Sequence, residues 1–310
     1  SGSDIDIEYV ADDSVEKLIK KQNPLLWITG LWKQQNIESS VGVKYDKDKL
    51  AKVIENLDCM AEENQIPSVS AKPEFTGEKF EVAAEQIGTA IDKDKFAETV
   101  TKAINGFQSE VDLMKEDCYI LPKYTKDSPE VAKACEKMNS ELGANITLDF
   151  SPNTEVVDSS VISQWITVDD NMQVTFNQDA VKQYIADLAA KYDTVGKTRN
   201  FTTATGNVVQ VEGGGYGWKI DQDAEYNALI TNIQNAETVT REPNYSSRAA
   251  THDANDWGTT YAEVDLTAQH MYFIQNGQIA MQCDIVTGNP NKGNATPQGM
   301  YSLYYKQQKQ

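Results

Sequence analysis

Two stretches of the chain share one pattern of apolar and polar positions. Residues 43–57 (VKYDKDKLAKVIENL) and 174–188 (VTFNQDAVKQYIADL) each begin with a short alternating run, which is typical of a strand. Each then continues with apolar residues at helical spacing, and the offset stays at 131 residues. The matched apolar positions are Leu50, Val53, Ile54 and Leu57 in the first stretch and Val181, Tyr184, Ile185 and Leu188 in the second. The repetition predicts two strand–helix units of one kind.

A second pair of stretches extends this match at an offset of 129 residues. The aligned stretches are residues 79–104 and 208–233, with Gly88, Ile91 and Asp92 against Gly217, Ile220 and Asp221. Asp92 and Asp221 each precede a helical apolar stripe, where a short acidic side chain caps the first free N–H groups. We therefore predict that residues 4–127 and 128–250 are two copies of one α+β unit, and that these aspartates are structural.

The second copy shows further elements. The run DSPEVAKACEKM predicts a helix with Val131, Cys135, Met138 and Leu142 on one face. Residues 145–150 (NITLDF) form a strand pattern, and residues 200–213 (NFTTATGNVVQVEG) predict a hairpin that turns at 205–207. Each copy is long enough to bury a core of its own.

Residues 261–288 form a clear β-meander pattern. Asn276-Gly277 is the strongest two-residue hairpin signal, and counting outward from it places His270 opposite Cys283. Direct cross-strand neighbours arise from register alone, so we expect no Cys–His catalysis here. We expect Cys283 to be buried beside Tyr272 and Met281.

A glycine-rich run, EGGGYGWKI, lies between the hairpin and the next helical stripe. It lacks the Gly-Lys-Ser/Thr of a phosphate-binding loop. It favours a tight bend that presents Tyr216 and Trp218, whose rings could stack on sugars or belong to the core. Both interpretations stay open, and these two residues are the candidate substrate contacts.

The net charge of the chain limits the classes of partner that it can bind. With 47 acidic and 28 basic residues, the chain carries a net charge of −19, which disfavours nucleic acid and anionic membrane surfaces. The most apolar stretch, residues 24–32, is too short to span a bilayer. We predict no metal site and no cofactor, because the four cysteines are irregularly spaced and only two histidines occur. Free thiols are expected, with a Cys118–Cys135 disulfide as the alternative.

Several motifs in the C-terminal half resemble those of L,D-transpeptidases. The strand with Gln269, the Asn276-Gly277 turn, VTG at 286–288 and TPQGMY at 296–301 are similar to the opening of a YkuD-type catalytic domain. Upstream, residues 191–221 resemble the peptidoglycan-binding domain that precedes this catalytic domain in many Gram-positive enzymes. The combination of TPxG with YDTxGxxRxF and GGxYGW makes the resemblance specific.

The resemblance implies a cell-wall protein outside the membrane of a Gram-positive bacterium, with peptidoglycan as its partner through a glycan strand or stem peptide. Such enzymes cross-link stem peptides through a cysteine acyl-enzyme, with a histidine as base. The family cysteine lies in a Ser/Thr-His-Gly-Cys motif downstream of TPxG, and His-Gly-Cys does not occur in this sequence. No catalytic residue is therefore assigned, and Thr296, Pro297 and Gly299 are expected to be structural motif residues.

The expected organisation is two tandem copies of an α+β unit followed by a β-rich, incomplete YkuD-type domain. We expect residues 256–310 to supply only the first strands of that domain, and the chain as given to be inactive. Residues 1–3 are typical of a cloning remnant, with any export signal or membrane anchor removed upstream. A cut sheet exposes an edge, so residues 256–310 would dock on the second copy, exchange strands with a neighbouring chain, or stay mobile. A non-enzymatic wall-binding or spacer protein is the alternative function.

Overall fold

The computed structural model describes residues 2–11, 16, 20 and 41–305, which belong to two compact units. The first unit takes in the described residues up to Lys72 together with Val82–Val131. The second takes in Pro73–Glu81 and the described residues from Ala132 onward. The apolar stretch at residues 24–32 lies outside the described residues. Among the described residues, none of the helices has the length and apolarity that crossing a bilayer requires.

The first unit is built on a strand pair and two helices. Its elements are β1 (Glu8–Ala11), β2 (Val41–Lys44), α1 (Lys47–Glu55), two 3-10 turns (Asp58–Met60 and Glu62–Asn64) and α2 (Lys93–Asn105), preceded by a 3-10 turn at Gly2–Ile5. Strands β1 and β2 pair antiparallel. The helices close over a small core that contains Ile5, Leu50, Ile54, Ile91, Phe96 and Cys118.

The second unit is larger and mixes short sheets with helices. Its helices are α3 (Pro129–Leu142), α4 (Ser159–Ile162), α5 (Gln178–Tyr192) and α6 (Gln222–Gln234). Strands β3 (Lys72–Phe75) and β4 (Phe80–Ala83) each have residues in both units. The strands that follow, up to the last meander, are β5 (Asn145–Phe150), β6 (Asn153–Val157), β7 (Ile166–Val168), β8 (Val174–Phe176), β9 (Arg199–Thr202), β10 (Val208–Val211), β11 (Lys219–Ile220), β12 (Thr238–Arg241) and β13 (Tyr245–Ser247). The meander is β14 (Tyr261–Asp265), β15 (His270–Gln275) and β16 (Gln278–Asp284). The predicted α+β class, the hairpin at 200–213 and the meander are confirmed.

Sheet topology in the second unit places one long core beneath α3, α5 and α6. Strand β5 lies in the middle of a three-stranded sheet, parallel to β12 and antiparallel to β6. Its inward residues Ile146, Leu148 and Phe150 are fully or almost fully buried. On α3 the predicted apolar face is confirmed, since Val131, Met138 and Leu142 are buried. The alternation of β5 and the stripe of α3 therefore meet in one core.

One succession of elements occurs twice along the chain. A strand pair leads to a capped helix, then to a hairpin, then to a second capped helix. Asp46 and Asn177 cap the first helix of each copy, and Asp92 and Asp221 cap the second through bonds to backbone N–H groups. The predicted N-cap roles of Asp92 and Asp221 are confirmed.

The hairpin of the first copy packs within the second unit. The Phe80 N–H donates to the Asn139 side chain at 2.7 Å, and the Asn139 amide donates back to the Phe80 carbonyl at 2.8 Å. The Cys135 thiol bonds to the same carbonyl at 3.1 Å, and burial raises the pKa of that thiol. Residues 73–81 therefore pack against helix α3 through Phe80.

The four cysteines are free. Cys118 is fully buried and Cys135 is half-buried, so the interpretation as free thiols holds and the disulfide alternative does not. The expectation of burial is wrong for Cys283, whose side chain is exposed on strand β16. This strand is the edge of the meander, and every one of its residues is exposed.

Glu141 on α3 is a buried acid without a hydrogen-bond partner for either carboxyl oxygen. Its side chain is 2% exposed, and the closest cation is the Lys137 ammonium at 3.8 Å. Burial raises the pKa of Glu141 above its ordinary value, although Lys137 opposes the shift. The unfolded chain therefore releases this proton at a lower pH than the folded chain does.

We predict that Glu141→Gln flattens the pH dependence of stability. Because the folded pKa is raised, the stabilisation is complete below the ordinary glutamate pKa of 4.5 and is lost as the pH rises through the folded value. The variant should equal wild type in acid and be more stable than wild type at pH 7, because wild type then holds a charged carboxylate in a buried site. Urea unfolding from pH 4 to 8 measures this. Glu136→Gln, an exposed position on the same helix, is the control, and parallel profiles for wild type and Glu141→Gln would contradict the prediction.

Candidate functional site

A buried ion pair joins β9 to the loop that precedes the meander. Arg199 donates from Nε to Asp256 Oδ1 at 2.9 Å and from Nη2 to Oδ2 at 2.7 Å. The side chains are only 7% and 4% exposed. The Thr194 hydroxyl donates to Asp256 Oδ2 at 2.6 Å, so the carboxylate is held from two sides. We call this arrangement the Arg199–Asp256 clasp.

Tyr216 braces the clasp from the glycine-rich run. Its hydroxyl donates to the Asp256 carbonyl at 2.9 Å and accepts from the Ala250 N–H at 2.8 Å. Its own carbonyl accepts from Arg199 Nη2 at 3.2 Å. Burial raises the pKa of the Tyr216 phenol, which favours its donor form. The motif residues in YDTxGxxRxF and GGxYGW therefore meet around one aspartate that lies in neither motif.

The structure separates the two candidate substrate contacts. The run bends at 215 and 217, and Tyr216 stays partly exposed, as predicted. Trp218 is 6% exposed, stacks on His252 at 3.9 Å between ring centroids, and donates its indole N–H to the Thr251 carbonyl at 2.8 Å. Since a sugar cannot reach a covered ring face, the core interpretation applies to Trp218 in this structure, and Tyr216 remains as the accessible ring.

The glycines of this run allow a second segment of backbone to lie directly against it. The Met300 N–H donates to the Gly213 carbonyl at 3.2 Å, and the Tyr216 N–H donates to the Met300 carbonyl at 3.1 Å. A side chain at Gly214 would collide with the Met300 backbone, and Gly214 has a φ of 88°. Gly299, with a φ of 132°, likewise faces the backbone of Gly213 and Gly214. The segment TPQGMY is thus laid directly against the glycine-rich run.

The remaining motif residues bond to one another. The Gly288 N–H donates to the Thr296 hydroxyl at 2.8 Å. The Gln269 amide accepts from the Thr287 N–H at 2.8 Å and donates to the Thr287 hydroxyl at 2.6 Å. Pro297 is exposed. These contacts give Gln269, Thr296 and the VTG segment an architectural role.

The predicted pairing of His270 with Cys283 is wrong. The turn at Asn276-Gly277 and the pair Gln275–Gln278 are as predicted, but a β-bulge between Phe273 and Ile274 shifts the register by one residue. His270 therefore lies opposite Asp284, whose carboxylate is 2.8 Å from His270 Nδ1. Cys283 lies opposite Met271 instead. Because successive strand residues point to opposite faces, the thiol and the imidazole diverge.

The clasp was not predicted from the sequence. Arg199 lies in the YDTxGxxRxF motif, but Asp256 lies in a polar stretch without periodicity, 57 residues further along the chain. A charged residue at an inward position of strand β9, flanked by buried Phe201, is the signal that could have pointed to a buried partner. Within the described residues, no group of three or more His, Cys, Asp or Glu could hold a metal ion.

We predict that Arg199→Met destabilises the second unit by about 3–5 kcal/mol, because it leaves the Asp256 carboxylate buried without its cation. Urea unfolding measures the loss, and hydrogen exchange should show that residues 256–305 lose protection. Lys115→Met, which removes one partner of an exposed pair with Asp112, is the control and should cost far less, because solvent screens an exposed ion pair. Equal costs for the two substitutions would show that the clasp contributes no more than a surface pair.

Two family models match the chain, over three segments in all. The model described as "Putative peptidoglycan binding domain" matches residues 1–112 and again residues 124–241. The model of the L,D-transpeptidase catalytic domain, YkuD, matches residues 259–310. No curated protein sequence matches significantly.

Two solved structures are similar to this chain. The Ldtfm–avibactam carbamoyl enzyme is 32% identical over 54% of this chain and 65% of its own, with a TM-score of 0.41. A cysteine-to-serine mutant of the Enterococcus faecium L,D-transpeptidase is 33% identical over 53% and 64%, with a TM-score of 0.40. The match thus spans a little less than two thirds of either relative. Since the first family model covers well over half of the sequence, this chain belongs to the peptidoglycan-binding-domain family, and its last segment matches part of an L,D-transpeptidase catalytic domain.

Proposed function

We propose that this chain binds peptidoglycan and positions the catalytic domain of an L,D-transpeptidase in a Gram-positive cell wall. Two tandem copies of the binding domain precede the catalytic segment, outside the cell membrane. The reaction served is the cross-linking of stem peptides through a cysteine acyl-enzyme. Tyr216 is proposed as a substrate contact of the second copy, with Trp218 as its buried support.

The Arg199–Asp256 clasp is the observation that carries this proposal. Arg199 belongs to the second copy, and Asp256 lies three residues before the catalytic-domain match begins at residue 259. Phe201 lies two residues after Arg199 on strand β9. Its ring packs against Trp257 and Tyr261, at 5.5 and 5.6 Å between ring centroids. The Ala204 N–H also donates to the Glu263 carboxylate at 2.8 Å. A catalytic segment held this way is fixed on a wall-binding domain, as a positioning role requires.

Sedimentation with purified sacculi tests the proposal. The chain should pellet with intact sacculi and stay in the supernatant once the sacculi have been solubilised by a muramidase. Serum albumin, which is also negatively charged, is the control for nonspecific trapping of protein in the pellet. A chain that remains soluble in the presence of intact sacculi would overturn the proposed function.

We also predict that this chain carries no carbapenem-reactive thiol. Acyl transfer needs a thiolate with a base in hydrogen-bond reach, whereas Cys283 and His270 leave opposite faces of the β15–β16 pair. Intact-mass spectrometry after incubation with a carbapenem should show the unmodified mass. An adduct at one equivalent that disappears in Cys283→Ala would contradict the prediction.

A further inference from the structure

An open groove lies on the second copy between α6 and the strand that follows it. Its volume is about 400 Å³. Its lining residues are Asn227, Ala228, Thr231, Asn232, Arg241, Glu242 and Asn244. Nothing aromatic lines it, so it differs in chemistry from the bend at Tyr216.

The floor of the groove is a buried ion pair. Glu225 is fully buried, and both its oxygens accept from the Arg241 guanidinium, at 2.8 and 3.0 Å. The Asn244 backbone and side-chain N–H groups both donate to Glu225 Oε2 at 2.8 Å. Arg241 Nε donates to Asn232 at 3.1 Å, and Asn232 in turn bonds Glu237. Each of these polar side chains is therefore fixed in one orientation before any ligand arrives.

The first copy shows that the fold does not need this pair. Asp92 and Asp221 cap equivalent helices, so the fourth residue beyond the cap is Phe96 in one copy and Glu225 in the other. Phe96 is a 4%-exposed core residue. A buried ion pair commonly costs stability relative to an apolar replacement of similar volume. The second copy keeps charges where the same architecture accepts a phenyl ring, and the difference lies directly beneath the groove.

We infer that this groove is the site at which the second copy binds a secondary amide of peptidoglycan. The inference rests on the proposed function and gives it a location. Glu225 and Arg241 cancel each other's charge, and the Glu242 carboxylate is paired with Arg248 at 2.6 Å, so the groove favours a neutral ligand. Asn232 and the N–H groups of Asn244 are already engaged by their neighbours, so the exposed Asn227 amide, which offers both an N–H and a carbonyl, is the group that pairs with a secondary amide. Peptidoglycan presents such amides in the N-acetyl groups of its glycan and in its stem peptide.

The first variant for the test is Asn227→Ala with Thr231→Ala, since both side chains are exposed on the groove wall. The matched control is Glu98→Ala with Lys102→Ala, at the equivalent exposed positions of α2. Thermal unfolding should be unchanged in both. Affinity for sacculi, from a sedimentation titration of the full chain, should fall about tenfold in the groove variant, which equals one or two lost hydrogen bonds, and should stay at the wild-type value in the control.

A second variant, Glu225→Phe with Arg241→Leu, places the residue of the first copy beneath the groove. It should remain folded by circular dichroism and lose sacculus binding by the same factor or more. Retained binding in both folded variants, with wild type still bound, would overturn the groove assignment and leave the proposed function standing. Failure of wild type itself to bind sacculi would overturn the proposed function.

Calorimetric titration of the full chain with two soluble probes distinguishes the sources of the amide. A tetra-N-acetylglucosamine oligomer presents only N-acetyl amides, and a stem tetrapeptide presents only peptide amides. Heat of binding for either probe that disappears in the Asn227/Thr231 variant supports the assignment and names the source. Binding of a probe that is equally strong in that variant would place its site elsewhere.

Discussion

The Arg199–Asp256 clasp is the constraint around which the C-terminal half of the chain is arranged. Two opposite charges that are each less than a tenth exposed must satisfy one another, because the cost of leaving either one unpaired in the interior is several kcal/mol. The bidentate geometry fixes the guanidinium plane, and Thr194 and Tyr216 supply the remaining bonds. A pairing of residues so distant in sequence therefore ties strand β9 to the loop that precedes the meander.

Glycine positions follow from that constraint. With Tyr216 anchored at Asp256, the chain on both sides of it must pass close to other backbone. At Gly217, whose φ is 141°, a side chain would press on Val195 and Thr194, and at Gly214 it would meet Met300. The run EGGGYGW is thus a place where two segments of backbone touch, and the segment TPQGMY is the partner. A glycine-rich run of this kind serves packing, and no phosphate needs to be invoked.

The Arg199–Asp256 and Glu225–Arg241 pairs each have a neighbouring polar shell, yet their surroundings differ. The clasp ties two segments together and is itself almost fully buried. The Glu225–Arg241 pair lies under an open groove and orders its walls. Since the equivalent site in the first copy is filled by Phe96, packing alone does not account for the second pair.

The sequence alone determined the local elements, because periodicity and capping act over a few residues. The strand–helix repeats, the caps at Asp92 and Asp221, the hairpin at 205–207 and the Asn276-Gly277 turn are all set by chemistry within one turn or one strand. The motifs also determined the family. Only the tertiary structure decided the register beyond the bulge at Phe273, which moved His270 from Cys283 to Asp284, and the burial of Trp218 under His252. It also decided the partner of Arg199 and the partition of the first hairpin into the second unit. These features depend on contacts between residues that are far apart in the chain. Packing and the need to neutralise buried charge decide which of many possible contacts form.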